Sequence, residues 1–153
     1  MSNDHLHAER ITPERHEEIL SSFNKQGLMS TLGASVNDVQ WGHVTLEMPY
    51  SSGVTQQHGF FHGGVIGALA DSACGYAALS IVKPGYAGLT AEYKINLLNP
   101  ADGEKLIAIG KVLKPGNRLI VCQGDVYIEK AGKRKLCATM LMTLCVVENL
   151  NNL

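Results

Sequence analysis

An α+β fold, with an antiparallel sheet wrapped around one long buried helix, is what three features of this sequence predict. The segment from Val65 to Val82 is apolar on nearly every helical face, too uniformly so for a surface helix. The chain after it reads as successive strands, punctuated by turn signals at Pro115-Gly116-Asn117 and Ala131-Gly132-Lys133. The length of 153 residues allows one domain with a real core and is too short for two.

The elements follow in order. Thr12-Pro13 ahead of Glu14, Glu17 and Glu18 starts a helix with acids in its first turn, and Gly27 is its expected stop, giving a helix around 13–26. Leu32 to Val39 and His43 to Tyr50 read as two strands joined around Trp41-Gly42. A loop from Ser51 to Phe61 leads into the buried helix. Its small residues, among them Gly63, Gly64, Gly67, Ala70, Ala73 and Gly75, let strands approach the backbone closely. Each interior Gly is worse than Ala by about 1 kcal/mol, so close packing is expected to outweigh propensity. After Lys83-Pro84-Gly85, the residues Thr90, Glu92, Lys94 and Asn96 alternate with Ala91, Tyr93, Ile95 and Leu97 as a half-exposed strand. Glu104 to Lys114, Arg118 to Lys130 and Arg134 to Val147 complete the set. Residues 1–153 form a single domain without repeat or linker, and only about the first ten residues and the tail from Glu148 to Leu153 are expected to fray.

Composition excludes several functions. Thirteen basic and 14 acidic residues give no global charge to attract nucleic acid or an anionic membrane. Asp71 sits near the middle of the apolar segment, where an ionisable group costs a membrane span at least ~2.5 kcal/mol. The N-terminus has no signal-peptide pattern, so a cytoplasmic protein is expected. Cys74, Cys122, Cys137 and Cys145 lack the spacing of zinc ligands and read as small core residues in a reducing compartment, so no metal is expected. Gly110-Lys111 lacks phosphate-loop spacing, and no dinucleotide fingerprint implies a redox cofactor.

Chemistry concentrates in Gln56-Gln57-His58-Gly59-Phe60-Phe61-His62-Gly63-Gly64 and the lone Asp71 that follows. A helix N-terminus presents bare N–H groups and about half a positive charge, suited to an oxyanion, and Gly63 and Gly64 let a substrate oxygen reach the backbone. Burial among apolar residues is expected to strip Asp71 of water and make it an effective base or nucleophile. Each residue also has a structural reading: tight packing for the glycines, a satisfied acid for Asp71, a hydrogen-bonded helix start for His62, a loop contact for Gln56, and strand propensity for Thr90. His58 reads as rim. Lys114, Arg118, Lys133, Arg134 and Lys135 gather at two turns and are either phosphate contacts or solvated charges.

Gln56, then His62-Gly63-Gly64, then Asp71 nine residues after the histidine, resembles the signature of hotdog-fold acyl-CoA thioesterases of the PaaI type. The resemblance runs from about Gly33 to Val147 and includes the strand Gly88-Leu-Thr-Ala-Glu-Tyr-Lys-Ile-Asn-Leu-Leu-Asn-Pro-Ala101. It implies hydrolysis of an acyl-CoA thioester without a cofactor, with Asp71 as nucleophile or general base. It further implies that the Gly63 N–H binds the thioester oxygen, that Gln56 polarises the same carbonyl, and that the Thr90 hydroxyl orients the water. Many PaaI-type members have Asn where this chain has Gln56.

Gly63 and Asp71 lie eight residues apart, about 12 Å along a helix, too far to serve one carbonyl from one chain. A shared site follows, with Gln56 and Gly63 from one subunit and Asp71 and Thr90 from the other. A homodimer is therefore expected, and a homotetramer of two dimers. His62, Gly64, Lys114, Arg118 and Lys133 are the expected substrate-binding residues. An acyl-ACP thioesterase and a non-catalytic acyl-CoA-binding module remain as alternatives; for a hydratase, the helix lacks the paired Asp and His such enzymes carry.

Overall fold

The computed structural model describes residues 10–148. Helix α1 spans Pro13–Phe23, opened by Thr12, whose hydroxyl accepts the Arg15 N–H at 3.2 Å, and by Pro13 in the first turn. It stops at Asn24, and Gly27 opens rather than ends a helix: α2, Gly27–Leu32, closed by Gly33 in the left-handed region. Leu32 is thereby used in α2, and the first strand begins three residues later than expected.

Strands β1 (Ser35–Gln40) and β2 (His43–Pro49) form a hairpin, and a short 3₁₀ turn at Ser52–Val54 leads to α3, Gly63–Ser80. Then come β3 (Tyr86–Leu97), β4 (Lys105–Lys114), β5 (Leu119–Lys130) and β6 (Lys133–Glu148). The β5–β6 connection holds Ala131 and Gly132 both at positive φ, as a two-residue hairpin turn requires. All neighbours are antiparallel in the order β1-β2-β4-β5-β6-β3. β4, β5 and β6 run as a meander and β3 lies at the far edge beside β6. All six strands contact α3, so the sheet wraps the helix as the sequence implies. The expected fraying falls outside the described residues except at Arg10, an exposed bend, and at Glu148, which ends β6.

Two expectations about α3 need correction. It is not buried all round, because the sheet covers one side only: Ala68, Asp71, Ser72, Gly75 and Leu79, spaced three or four apart, form a half-buried stripe turned away from it. Of the glycines inside α3, only Gly63 lies tight against a strand, where a Cβ would come 2.8 Å from Leu97 Cδ1. A Cβ on Gly75 would meet nothing within 4 Å, and one on Gly67 only the Tyr93 hydroxyl at 3.8 Å. The close approach belongs to the sheet. Gly110 and Gly124 face each other across β4 and β5; a Cβ at 110 would lie 2.3 Å from the Ala73 backbone, and one at 124 would lie 2.8 Å from Cys74 Sγ.

β3 departs from the alternating pattern too. A bulge between Thr90 and Glu92 shifts its register, and every residue from Leu89 to Lys94 is exposed. Among them and just beyond, Tyr93, Leu97 and Leu98 keep 46, 56 and 49 % of their surface open beside the N-terminal half of α3. No helix among the described residues is long and apolar enough to cross a membrane.

Candidate active site

The start of α3 leaves one backbone donor free. His62 is the cap: its Nδ1 accepts the Gly64 N–H at 2.9 Å, and its carbonyl accepts the N–H groups of Val65 (3.0 Å) and Ile66 (3.1 Å). The Gly63 N–H has no partner among the described residues. His62 thus has a structural task, and the Gly64 N–H is occupied, which leaves Gly63, the donor expected from the resemblance, with its N–H open. The preceding loop folds back on itself through Gln56 N–H to Phe60 O (2.9 Å) and Gly59 N–H to Gln56 O (3.0 Å), with Gly59 at positive φ. Gln56 Oε1 accepts the His58 N–H, which leaves the amide Nε2 as a donor without a partner among the described residues. Gln56 and Gly63 line one cavity of about 320 Å³ with Phe60, Ile66, Leu97 and Ala101.

Asp71 and Thr90 lie elsewhere. The Thr90 hydroxyl donates to Asp71 Oδ1 at 2.7 Å, crossing from β3 to α3 and fixing one carboxylate oxygen while leaving the other. Asp71 is half-buried rather than buried, because it stands on the open stripe of α3. It lines a second cavity of about 630 Å³, walled by α1, the start of α2 with Gln26 and Leu28, α3, β3 and Leu144 of β6. Within one chain the two halves of the expected site open into different cavities.

α1 contributes a wall that the sequence did not mark out. Arg15, 5 % exposed, donates from Nε and Nη2 to the Leu79 carbonyl at 3.1 and 2.8 Å and from Nη1 to Glu18 at 2.7 Å, placing a cation at the negative end of α3. Ser22 Oγ and Gln26 Nε2 meet the Tyr76 hydroxyl at 3.1 and 3.0 Å, and Ser72 Oγ donates to Gln26 Oε1 at 3.3 Å. The only sequence signal for this wall was the four-residue spacing of Glu18, Ser22 and Gln26 within the helix expected over 13–26; in the structure Glu18 and Ser22 lie on α1, on a different side from buried Ile19 and Phe23, and Gln26 precedes α2.

The basic residues do not form one patch. Lys114 and Arg118 flank the β4–β5 turn, whereas Lys133, Arg134 and Lys135 follow the β5–β6 turn, separated from the first pair by the 12 residues of β5 or roughly 40 Å. Arg134 is engaged with Glu129 at 2.9 Å; this contact, with the Lys105 ammonium in support, holds the Glu129 carboxyl below its ordinary range. Lys133 and Lys135 are exposed and have no ion pair among the described residues. Their turn lies at the end of the sheet that carries Gly63: Lys130 pairs with Asp102 at 2.6 Å, and the Phe61 N–H donates to Ala101 O at 3.1 Å.

Comparison with known proteins agrees with this architecture. The family model described as the thioesterase superfamily matches residues 58–135. The structure of a thioesterase family protein from Silicibacter pomeroyi superposes with a TM-score of 0.87 at 41 % identity, covering 88 % of this chain and 99 % of that one. A Halobacterium salinarum protein proposed to be an esterase is 36 % identical over 113 residues, 71 % of this chain and 74 % of its own. The PaaI protein of E. coli shares the fold with a TM-score of 0.81 at 19 % identity, over 91 % of this chain and 97 % of its own.

Proposed function

This chain belongs to the thioesterase superfamily, has its hotdog fold, and from that premise we propose that it hydrolyses acyl-CoA thioesters at a site shared between two subunits. The observation that carries the proposal is the separation of complementary halves: two unpartnered donors, Gly63 N–H and Gln56 Nε2, in one cavity, and a carboxylate held by a hydroxyl in another. Bringing a second copy against the first supplies each half with what it lacks. The donors hold the carbonyl oxygen as it gains charge. Asp71 of the partner subunit either takes the proton of a water that attacks the carbonyl carbon, after which the C–S bond breaks to give the acid, or attacks that carbon itself, after which the C–S bond breaks to leave an acyl–Asp71 anhydride that water then cleaves to the acid and the free carboxylate. In both, the thiolate leaves and is protonated.

The edge strand β3 supports the second copy. Its outer edge pairs with no other strand among the described residues, and Tyr93, Leu97 and Leu98 stand open beside it, a surface suited to pairing with its twin. Across β5, β6 and β3, Leu119, Cys145 and Leu89 are register neighbours on the face away from α3, and this apolar row is the contact we assign to a tetramer of two dimers. For the CoA phosphates the candidates are Lys133 and Lys135, which share the Gly63 end of the sheet, rather than Lys114 and Arg118. Release of free thiol from a panel of acyl-CoA and acyl-ACP thioesters tests the reading. Turnover of acyl-CoA sustains it; turnover of acyl-ACP alone reassigns the carrier, and binding without turnover makes the chain an acyl-CoA-binding module.

A further inference from the structure

The cavity beside Asp71 has two unlike walls. Ala87, Gly88 and Leu144 line one side with apolar surface, and Ser22 of α1 and Gln26, at the cap of α2, line the other. Between them α3 presents Ser72 and Tyr76. The Tyr76 ring is 5 % exposed and packs edge-on against Phe23 with centroids 5.7 Å apart, a contact that Phe would make equally well. Its hydroxyl is what distinguishes it, and that hydroxyl emerges where Ser22 and Gln26 converge on it. The four polar side chains bond one another without being saturated. The second N–H of the Gln26 amide has no partner among the described residues, and the serine oxygens keep acceptor capacity.

Position adds direction. Ser72 adjoins Asp71, and Tyr76 lies five residues further along α3, about 8 Å away at 1.5 Å per residue. A short acyl chain whose thioester carbon sits at Asp71 and which follows the helix therefore ends against this cluster. An alkyl tail there would bury the free amide N–H without a partner, whereas an oxygen at the tail would accept from it; a site built to hydrogen-bond discriminates steeply against an analogue that lacks the group.

We propose that Ser22, Gln26, Ser72 and Tyr76 form an acyl-tail subsite that selects acyl groups with an apolar body and a hydroxyl or carbonyl oxygen at the end remote from the thioester. The inference rests on the hydrolase reading for the placement of the thioester at Asp71. Its test compares hexanoyl-CoA with its ω-hydroxy counterpart. The wild-type kcat/KM should favour the hydroxylated substrate at least tenfold, and Gln26→Met and Tyr76→Phe should each bring the ratio to within about twofold of unity. Equal turnover of the pair by the wild type, or a ratio unmoved in both variants, overturns the subsite. Gln26→Met changes a half-buried side chain between α1 and α2 that makes no capping bond, so the test stands even if Tyr76→Phe loosens the helix packing. Titration of the same pair onto Asp71→Asn protein keeps the two readings apart. Tenfold tighter binding of the hydroxylated ligand, with no turnover by the wild type, sustains the subsite and removes the hydrolase; equal affinities overturn the subsite even where both thioesters are cleaved.

Discussion

Asp71 is the one carboxylate on α3, and the Thr90 hydroxyl at 2.7 Å leaves one of its oxygens free. Asp71→Asn keeps the shape and removes the charge, so turnover should fall at least ~100-fold in a folded protein; activity within a few-fold of wild type would exclude a catalytic carboxylate. A second residue-scale consequence concerns the thiols. Burial pushes Cys122 up to about 12 and Cys137 up to about 11, and raises Cys74 further still, from an ordinary value of 9.0. The folded state therefore keeps these thiols protonated where the unfolded chain ionises them. Their contribution to stability is complete below pH 9 and is lost as pH rises from there through the folded values. Each thiol should add about 1.4 kcal/mol per pH unit to the slope within that window. Urea unfolding followed across it checks this: Cys122→Ala together with Cys137→Ala should remove the share of those two thiols and leave the share of Cys74. A double variant as steep as wild type would place the titration elsewhere.

The helix and sheet meet through two strand glycines. Gly110→Ala drives a Cβ into the Ala73 backbone, which a flexible side chain cannot relieve, so a loss of about 3 kcal/mol or more is expected. Gly75→Ala enters open space on the outer stripe and should raise stability by up to about 1 kcal/mol through helix propensity. Chemical denaturation of the pair measures both signs; equal losses would contradict the assignment of the close approach to β4. The signal for Gly110 and Gly124 was present in the sequence, since a glycine inside a strand marks close backbone approach, but the glycines of α3 drew the inference instead. Elements whose periodicity equals their burial were legible: α3 and the β4–β6 meander fall within two residues of expectation. α2 was not, because a six-residue helix has too few turns to show a period and Gly27 carries the same letter as a stop. That the Gly64 N–H is taken up by the His62 ring lay beyond pattern as well, for it depends on where that ring points. Lys114 and Lys133 looked like one patch because adjacency in sequence hides that successive hairpin turns lie at opposite ends of a strand.

At the scale of the molecule, the two halves of the proposed site open into different cavities of one chain. The Gly63 end of the sheet offers Lys133 and Lys135 to phosphates, so Lys133→Ala should raise KM several-fold with little change in kcat, and the effect should disappear with a pantetheine thioester that lacks the nucleotide. Arg118→Ala, at the opposite end, should not show that substrate dependence; the reverse pattern would move the nucleotide to the β4–β5 turn. The shared site itself is tested most directly by mixing two inactive proteins, one carrying Gln56→Ala with Gly63→Pro and the other Asp71→Asn. Random exchange at equal amounts gives half mixed dimers with one intact site each, so activity should recover to about a quarter of wild type. Absence of recovery, with subunit exchange demonstrated in the same sample, would contradict a site built from two chains.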